Sequence, residues 1–256
     1  MQDLKILLVQ ADQKWEDKRA NFDNYDRLLT DHSGMDLIIL PEMFHTGFSM
    51  NAEILAETYE NSVGLDWLRK TAKDKNSAIY TSLIFKETNC FYNRGVFVYP
   101  NGELKTYDKR KCFGLAGEDR VFQSGQQKTI VEYKDWKIQL QICYDLRFPE
   151  ISRNSISSNL SPEYDVLLYV ANWPEKRNLH WESLLVARAI ENQSYVIGVN
   201  RVGEDGKKLN YSGNSMFVDA LGNKECIKPY NEEVMKVVLS KNTLQQIRTD
   251  LPFLKD

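Results

Sequence analysis

The chain has 256 residues, of which 42% are hydrophobic and 27% charged, and its formal net charge is −3. A chain of this size can bury a large core, and it lacks the basic surface with which nucleic-acid and membrane-surface binders attract phosphates. We therefore expect one globular domain over residues 1–256 that binds neither nucleic acid nor membranes.

The N-terminal sequence and the cysteine spacing indicate the cellular location and the state of the thiols. MQDLKILLVQADQ mixes acidic and polar residues into its apolar run, unlike a signal peptide or anchor, and no other apolar stretch approaches membrane-spanning length. We therefore expect a cytoplasmic protein. The four cysteines and three histidines show no spacing typical of a zinc site or a disulfide scaffold, so free thiols are expected.

Apolar β-branched runs alternate with amphipathic stretches along the chain. Helices are predicted over Lys18–Leu29, 64–75 and 181–192, with a short one from Pro149. Strands are predicted over Leu4–Gln10, 36–40, 78–85, 94–99, 103–107, 129–133, 136–141, 166–170, Tyr195–Asn200, 215–218 and Glu233–Leu239, with a turn at 100–102. Strands that alternate with helices, several of them apolar on both faces, predict a layered α/β architecture.

Polar residues at strand ends are informative, because ligands of layered α/β folds tend to bind there. The first is Glu42 in LIILPEMFHTGF, which follows a strand and a proline and has Met43, Phe44 and Phe48 nearby in sequence. A carboxylate held among apolar side chains is desolvated and can act as a general base near neutral pH. A solvated loop glutamate is the alternative.

The second strand end is in TYDKRKCF, where Lys109 and Arg110 follow the strand predicted over 103–107. A lysine there can supply a fixed positive charge to a developing oxyanion. Because three of four consecutive positions are cationic, a solvated basic loop is the favoured alternative on local sequence alone.

The third strand end is in QLQICYDLRFPE, where Cys143 ends an apolar run that leads towards the helix from Pro149. A sulfur at a strand-to-helix turn lies near free backbone N–H groups, which lower the pKa of a thiol and stabilise an oxyanion. A buried, unreactive cysteine is the more common role of this residue type, and the local sequence favours it.

Together, LPE at Glu42, DKR at Lys109 and CYDLRFPE at Cys143 resemble the Glu-Lys-Cys signature of the nitrilase superfamily, the carbon–nitrogen hydrolases. The likeness runs nearly end to end, through ANWP at 171–174 and ARAIENQ at 187–193. LPEMFHTGF, YVANWP followed by Arg177, and HW at 180–181 are most similar to the omega-amidase branch. That branch hydrolyses the terminal amide of short 2-oxo acid amides such as 2-oxoglutaramate and 2-oxosuccinamate.

The resemblance implies a four-layer α-β-β-α sandwich, two sheets flanked by helices, with no metal or organic cofactor. It also implies that Cys143 attacks the amide carbon to form a thioester and that Glu42 transfers the protons. Lys109 would stabilise the oxyanion together with the backbone N–H of Tyr144. Glu118, in KCFGLAGEDRVFQSG, matches a second glutamate that positions the lysine, although its neighbour Asp119 leaves a solvated acidic loop as the alternative.

A substrate carboxylate would need a cation, and the candidates are Arg147 and Arg177, because guanidinium groups form bidentate contacts with carboxylates. Alternatively, Arg147 pairs with an acid such as Glu150, and Arg177 lies at the surface or a dimer interface. Aromatic candidates for pocket walls, with core positions as the alternative, are Phe44, Phe113 and Trp173.

The resemblance also implies partners and alternatives. The partners are a small amide substrate, water, and further copies of the chain in a homodimer or homotetramer, with 151–160 contributing an interface helix. A deaminated glutathione amidase, a carbamoyl-amide hydrolase and a nitrilase share the same three residues. A non-catalytic scaffold would lack one of them, and the glutaminase part of a synthetase would need an ATP-using domain, for which no P-loop is present.

Overall fold

The structure is a computed structural model, and it describes residues 2–156 and 161–255. The strands are β1 (Leu4–Gln10), β2 (Leu37–Ile39), β3 (Ala78–Glu87), β4 (Cys90–Val98), β5 (Leu104–Asp108), β6 (Ile130–Tyr133), β7 (Trp136–Ile142), β8 (Val166–Ala171), β9 (Tyr195–Asn200), β10 (Val202–Glu204), β11 (Asn210–Ser212), β12 (Met216–Val218), β13 (Lys224–Cys226) and β14 (Glu233–Leu239). The α-helices are α1 (Lys18–Leu29), α2 (Ala52–Leu55), α3 (Val63–Lys75), α4 (Glu118–Val121), α5 (Pro149–Ser152), α6 (Asn178–Asn192) and α7 (Lys241–Asp250). Short 3₁₀ helices cover Gly114–Ala116, Cys143–Arg147, Glu175–Arg177 and Phe253–Lys255.

Two six-stranded sheets of mixed direction contain most of the strands. The first has the order β14-β1-β2-β3-β4-β5, and the second has the order β13-β12-β9-β8-β7-β6. In each sheet the middle strands, β1-β2-β3 and β7-β8-β9, run parallel, and the outer strands join them antiparallel. Strands β10 and β11 form a separate hairpin.

Strand β1 shows how the layers are arranged. Leu4, Ile6 and Leu8 belong to the core that the two sheets share, whereas Leu7 and Val9 pack in the core beneath α1 and α3. Successive side chains of a strand point to opposite faces, so a strand between two layers needs apolar residues on both faces. The run LKILLVQ is almost continuously apolar for this reason.

Helix α6 covers the outer face of the second sheet. Its Trp181, Leu185 and Ala189 belong to the same core cluster as β8 and β9. The helix approaches closely at Gly198 of β9, where a Cβ would lie 2.5 Å from Leu185 Cδ1 and 2.7 Å from Trp181 Cζ2. The layers are therefore helix, sheet, sheet and helix, and the predicted four-layer α-β-β-α sandwich is confirmed.

The predicted bounds of β1 and α1 agree with the structure, but β4 begins four residues earlier than the predicted 94–99 and α6 three residues earlier than 181–192. The sequence does not predict α2, α4, α7, β10, β11 or β13. The proposed interface segment, 151–160, lies partly outside the described residues. Within the described residues, no helix is long and apolar enough to cross a membrane.

Candidate active site

Polar residues that follow strands of both sheets meet at one place. Glu42 follows β2 and Lys109 follows β5 in the first sheet, whereas Cys143 follows β7 and Asn172 follows β8 in the second. Asn172 contacts two of the others: its backbone N–H donates to Glu42 Oε2 at 2.8 Å, and its carbonyl oxygen lies 3.9 Å from Cys143 Sγ. The fold thus brings together the three residues that the sequence analysis expects to be catalytic.

The side chain of Glu42 is fully buried, with 0% of its surface exposed, so the solvated-loop alternative is wrong. Its Oε1 accepts from Lys109 Nζ at 2.9 Å and from Asn93 Nδ2 at 2.7 Å. The Asn172 side-chain amide donates to the Glu42 carbonyl oxygen at 2.6 Å, which fixes the backbone as well. Sequence reasoning placed Asn172 within the ANWP motif but assigned neither Asn93 nor Asn172 to the site.

Lys109 lies between two carboxylates and is 1% exposed, which excludes a solvated basic loop. Its Nζ is 2.9 Å from Glu42 Oε1 and 2.9 Å from both carboxylate oxygens of Glu118. Burial alone would lower the pKa of Lys109, but the two carboxylates outweigh burial and raise the pKa well above its usual value. The ammonium group is therefore a permanent positive charge.

Glu118 is buried in the first turn of α4, whereas Asp119 beside it is exposed. The Glu118 carboxylate also accepts from the backbone N–H of Phe113 at 2.6 Å and from Asn93 Nδ2 at 3.0 Å. The alternative prediction of a solvated acidic side chain therefore holds for Asp119 and not for Glu118. The geometry allows Glu118 to hold the ammonium group of Lys109 in place.

Cys143 lies at the point where β7 turns into the 3₁₀ helix Cys143–Arg147, and it is 8% exposed. Its φ is 45°, a left-handed conformation that costs free energy in a residue with a Cβ. Strain of this kind persists only where the surrounding structure holds the residue in place, and it is common at functional sites.

The prediction that the turn lowers the pKa of this thiol is wrong. Burial, and next the negative charge of Glu42, raise the pKa of Cys143 well above its usual value, and Lys109 offsets only part of the rise. The resting sulfur is therefore a neutral thiol. A base must remove its proton before it can attack, and Glu42 is the carboxylate that interacts most strongly with it.

A pocket opens above Cys143, with mainly apolar and aromatic walls. Of the predicted pocket residues, it contains Phe113, Tyr144, Arg147, Trp173 and Arg177. Sequence reasoning missed further lining residues: Phe48, Asn172, Asp205, Lys207, Leu209 and Tyr211. Several of these belong to the hairpin of β10 and β11, whose short polar strands and EDGKK turn carry little apolar signal.

The two arginines of the pocket have no acidic partner among the described residues. The Arg147 guanidinium lies 4.6 Å from the Trp173 ring centre and donates to His180 Nδ1 at 3.2 Å, while that of Arg177 lies 5.2 Å from the Phe113 ring centre. Burial, and next the charge of Arg177, lower the pKa of Arg147. The predicted pair of Arg147 with Glu150 is wrong, because Glu150 instead faces Lys111 at 3.6 Å.

The prediction that Phe44 lines the pocket is also wrong. Phe44 is fully buried in the core between the first sheet and its helices, with ring centres 5.6 Å from Tyr25 and 5.5 Å from Trp67. Phe48 lines the pocket in its place, and its ring centre lies 5.2 Å from Lys109 Nζ. In the described part of the chain, no cluster of three or more His, Cys, Asp or Glu side chains is arranged to hold a metal ion.

Comparison with known proteins identifies the family of this chain. The family model described as carbon-nitrogen hydrolase matches residues 5–249. The chain belongs to the carbon-nitrogen hydrolase family. The resemblance to the nitrilase superfamily and the prediction of a carbon–nitrogen hydrolase are thereby confirmed.

Relatives of this carbon-nitrogen hydrolase include proteins named as amidases. It is 42% identical over 259 residues to omega-amidase YafV of Yersinia enterocolitica, an alignment that covers 100% of this chain and 97% of the relative. It is 33% identical to the 2-oxoglutaramate amidase of Paenarthrobacter nicotinovorans, covering 86% of this chain and 78% of the relative.

Solved structures of the same superfamily share the fold of this chain. A CN-hydrolase superfamily protein, XC1258 of Xanthomonas campestris, was crystallised with an arsenic adduct in its active site. It matches this carbon-nitrogen hydrolase with a TM-score of 0.97 and 39% identity, covering 100% of this chain and 97% of that one. Nit3 of Saccharomyces cerevisiae has a TM-score of 0.85 at 23% identity, covering 98% and 95%, which shows the shared fold alone.

Proposed function

We propose that this carbon-nitrogen hydrolase is a cysteine-dependent amidase that releases ammonia from the terminal amide of short 2-oxo acid amides through a thioester. The observation that carries the proposal is the buried cluster beside Cys143. In that cluster, Glu42 accepts a hydrogen bond from Lys109 at 2.9 Å, and Glu118 holds the other side of the same ammonium group. The cluster supplies a base, a fixed cation and a nucleophile at one end of a pocket.

In the first half of the reaction, Cys143 Sγ attacks the amide carbon while its proton moves to Glu42. The carbonyl oxygen becomes an oxyanion next to Lys109 and the backbone N–H of Tyr144. Glu42 then gives the proton to the amide nitrogen, the carbon–nitrogen bond breaks, and ammonia leaves a thioester on Cys143.

In the second half, water attacks the thioester carbon and gives a proton to Glu42. The same cation and N–H stabilise the second oxyanion. The carbon–sulfur bond then breaks, the carboxylic acid leaves, and the sulfur takes back the proton from Glu42. The protein returns to its starting charge, because Cys143 and Glu42 recover their protonation states and Lys109 stays positive throughout.

The substrate class is supported by Arg147 and Arg177. Two guanidinium groups in one pocket with no acidic partner among the described residues favour a ligand that carries a carboxylate. Phe113 and Trp173 give the pocket apolar walls, which suit the short carbon chain between the carboxylate and the amide. Relatives named omega-amidase and 2-oxoglutaramate amidase point to the same class.

Three further features belong to this proposal: a cytoplasmic location, a single domain over residues 1–256, and assembly into a homodimer or homotetramer. They rest on the match of the carbon-nitrogen hydrolase model to residues 5–249 and on the family resemblance.

The test is ammonia release from 2-oxoglutaramate, 2-oxosuccinamate, glutamine, deaminated glutathione and a simple nitrile. We expect kcat/KM for the two oxo acid amides to exceed the others by about tenfold or more, and Cys143→Ala to lose about a thousandfold. Cys112→Ala, a partly buried cysteine outside the pocket lining, is the matched control and keeps its activity. Equal rates for all amides would refute the substrate class, and full activity in Cys143→Ala would refute the mechanism.

The carboxylate contact has its own test. Arg147→Gln and Arg177→Gln are each measured with 2-oxoglutaramate and with its methyl ester, which lacks the carboxylate charge. The variant that removes the contact raises KM for the acid by about tenfold or more and leaves KM for the ester unchanged. Lys176→Gln, an exposed cation beside Arg177, is the control. If neither arginine variant discriminates acid from ester, the assignment is wrong.

A further inference from the structure

Asp145 is a buried carboxylate behind the nucleophile that the proposed chemistry does not use. It lies two residues after Cys143 and is 0% exposed. Its carboxylate forms no ion pair with any described lysine, arginine or histidine. Burial raises the pKa of Asp145 to about 6, and near neutral pH its negative charge has no ion-pair partner among the described residues. Such a group is costly in a core unless hydrogen bonds satisfy it.

Three hydrogen bonds satisfy Asp145, and their donors come from both sheets. Its Oδ2 accepts from the hydroxyl of Tyr107 at 2.7 Å and from the backbone N–H of Ile142 at 3.0 Å. Its Oδ1 accepts from the backbone N–H of Lys111 at 2.9 Å. Ile142 ends β7 in the second sheet, whereas Tyr107 is in β5 of the first sheet and Lys111 follows that strand.

These donors flank two of the proposed catalytic residues. Ile142 directly precedes Cys143, and the bond to its N–H closes the turn in which Cys143 has a φ of 45°. Tyr107 and Lys111 stand two residues before and two residues after Lys109. One carboxylate therefore ties the backbone of the nucleophile to the backbone of the cation.

We propose that Asp145 is a positioning residue that sets the separation between the thiol of Cys143 and the ammonium group of Lys109. Formation of the thioester requires the carbonyl carbon to meet the sulfur while the carbonyl oxygen meets the cation. A misplacement of about 1 Å is enough to slow such a step by two orders of magnitude. Asp145 touches neither substrate nor reacting atoms, so it acts through the backbone. This inference rests on the proposed function.

The test compares two reactions of the same sulfur. Ammonia release needs both Cys143 and an oxyanion site, whereas alkylation by iodoacetamide forms a carbon–sulfur bond with loss of iodide and needs no oxyanion. In Asp145→Asn the new amide must point its NH₂ at one of the three donors, so at least one contact is lost. We expect kcat for 2-oxoglutaramate to fall about thirtyfold, which corresponds to one charge-assisted hydrogen bond of about 2 kcal/mol. KM and the alkylation rate are expected to stay within about twofold.

Two variants keep the test decisive. Tyr107→Phe removes a single donor from Asp145 and is expected to lower kcat about fivefold, again with alkylation unchanged. Asp36→Asn is the matched control. Asp36 is also buried, accepts from the backbone N–H of Lys5 at 2.8 Å and from Lys134, and precedes β2 at the end of the sheets away from the site. Its amide variant is expected to lower stability while kcat and alkylation both stay unchanged.

The possible results distinguish a failure of the proposed function from a failure of the role assigned to Asp145. A wild-type enzyme that releases no ammonia from the oxo acid amides refutes the proposed function. If the wild-type enzyme is active, then unchanged kcat in Asp145→Asn refutes the role of Asp145, and so does a parallel loss of kcat and alkylation, which indicates a merely structural part. If Asp145→Asn does not fold, Tyr107→Phe decides in the same way.

Discussion

Glu118 and Asp119 are neighbours in the chain with opposite surroundings, and replacing each by its amide tests the role of the buried one. All the atoms that contact the Glu118 carboxylate are donors: Lys109 Nζ, Asn93 Nδ2 and the backbone N–H of Phe113. In Glu118→Gln, an NH₂ group must therefore face another donor. Asp119 is exposed, and Asp119→Asn changes charge by the same amount without this conflict.

The magnitude follows from the contacts. A hydrogen bond to a charged group contributes about 1.5–3 kcal/mol, and Glu118 makes two of them to Lys109 at 2.9 Å. When one is lost, the attraction of Glu42 draws the ammonium group away from the position of the oxyanion. A loss of about 2.7 kcal/mol in the transition state corresponds to a hundredfold fall in kcat/KM. The unpaired donor is expected to lower the free energy of unfolding by about 2 kcal/mol.

The assay is ammonia release from 2-oxoglutaramate, with urea unfolding of the same samples. Glu118→Gln is expected to fold cooperatively and to lose about a hundredfold in kcat/KM, and Asp119→Asn is expected to stay within about twofold of the wild type. If the two amide variants have the same activity, Glu118 does not hold the cation of the reaction. Full activity in Glu118→Gln would refute the reasoning from hydrogen-bond donors.

Two further predictions concern stability. Burial would raise the pKa of Glu57, but hydrogen bonds from His45, Lys18 and Ser62 outweigh it and lower the pKa from 4.5 to about 2. A lowered pKa gives stability that is complete above pH 4.5 and is lost as the pH falls through about 2. Between pH 6 and pH 3, urea unfolding should show the wild type losing about 2 kcal/mol more than Glu57→Gln, and an equal loss would contradict the shift. Gly198→Ala forces a Cβ to within 2.5 Å of Leu185 Cδ1 and is expected to destabilise the protein by about 2 kcal/mol; an unchanged urea midpoint would show that α6 can move aside.

The sequence predicts the layers of this fold because burial on both faces leaves a strong signal. Strand β1 is almost continuously apolar, and α1 follows an aspartate whose side chain accepts from the N–H of Ala20, so their bounds are correct. Helix α7 buries only Lys241 and Leu244, and β10 and β11 have three residues each. Elements with so few buried apolar residues are hard to distinguish from loops in the sequence.

The site divides in the same way. Taken alone, the local sequence favours a solvated loop for Lys109 and a buried, unreactive thiol for Cys143. Only the joint pattern of three distant motifs indicates catalysis. Phe44 was misassigned to the pocket because side-chain direction in LPEMFHTGF depends on a backbone reversal. Met43 has a φ of 47°, and its carbonyl oxygen accepts from the backbone N–H groups of Thr46 and Gly47. This turn places Phe44 in the core and Phe48 in the pocket, and hydrophobicity alone does not encode it.

The division of the active site between two sheets has a consequence for the order of folding. Glu42 and Lys109 follow strands of the first sheet, and Cys143 and Asn172 follow strands of the second. Neither sheet alone contains both the proposed base and the proposed nucleophile, and contacts between segments so distant in the chain form slowly. Enzymatic activity therefore returns only after the two sheets have docked, later than the recovery of secondary structure. Until the two sheets dock, the thiol of Cys143 lacks Glu42 beside it, and the chain cannot hydrolyse amides.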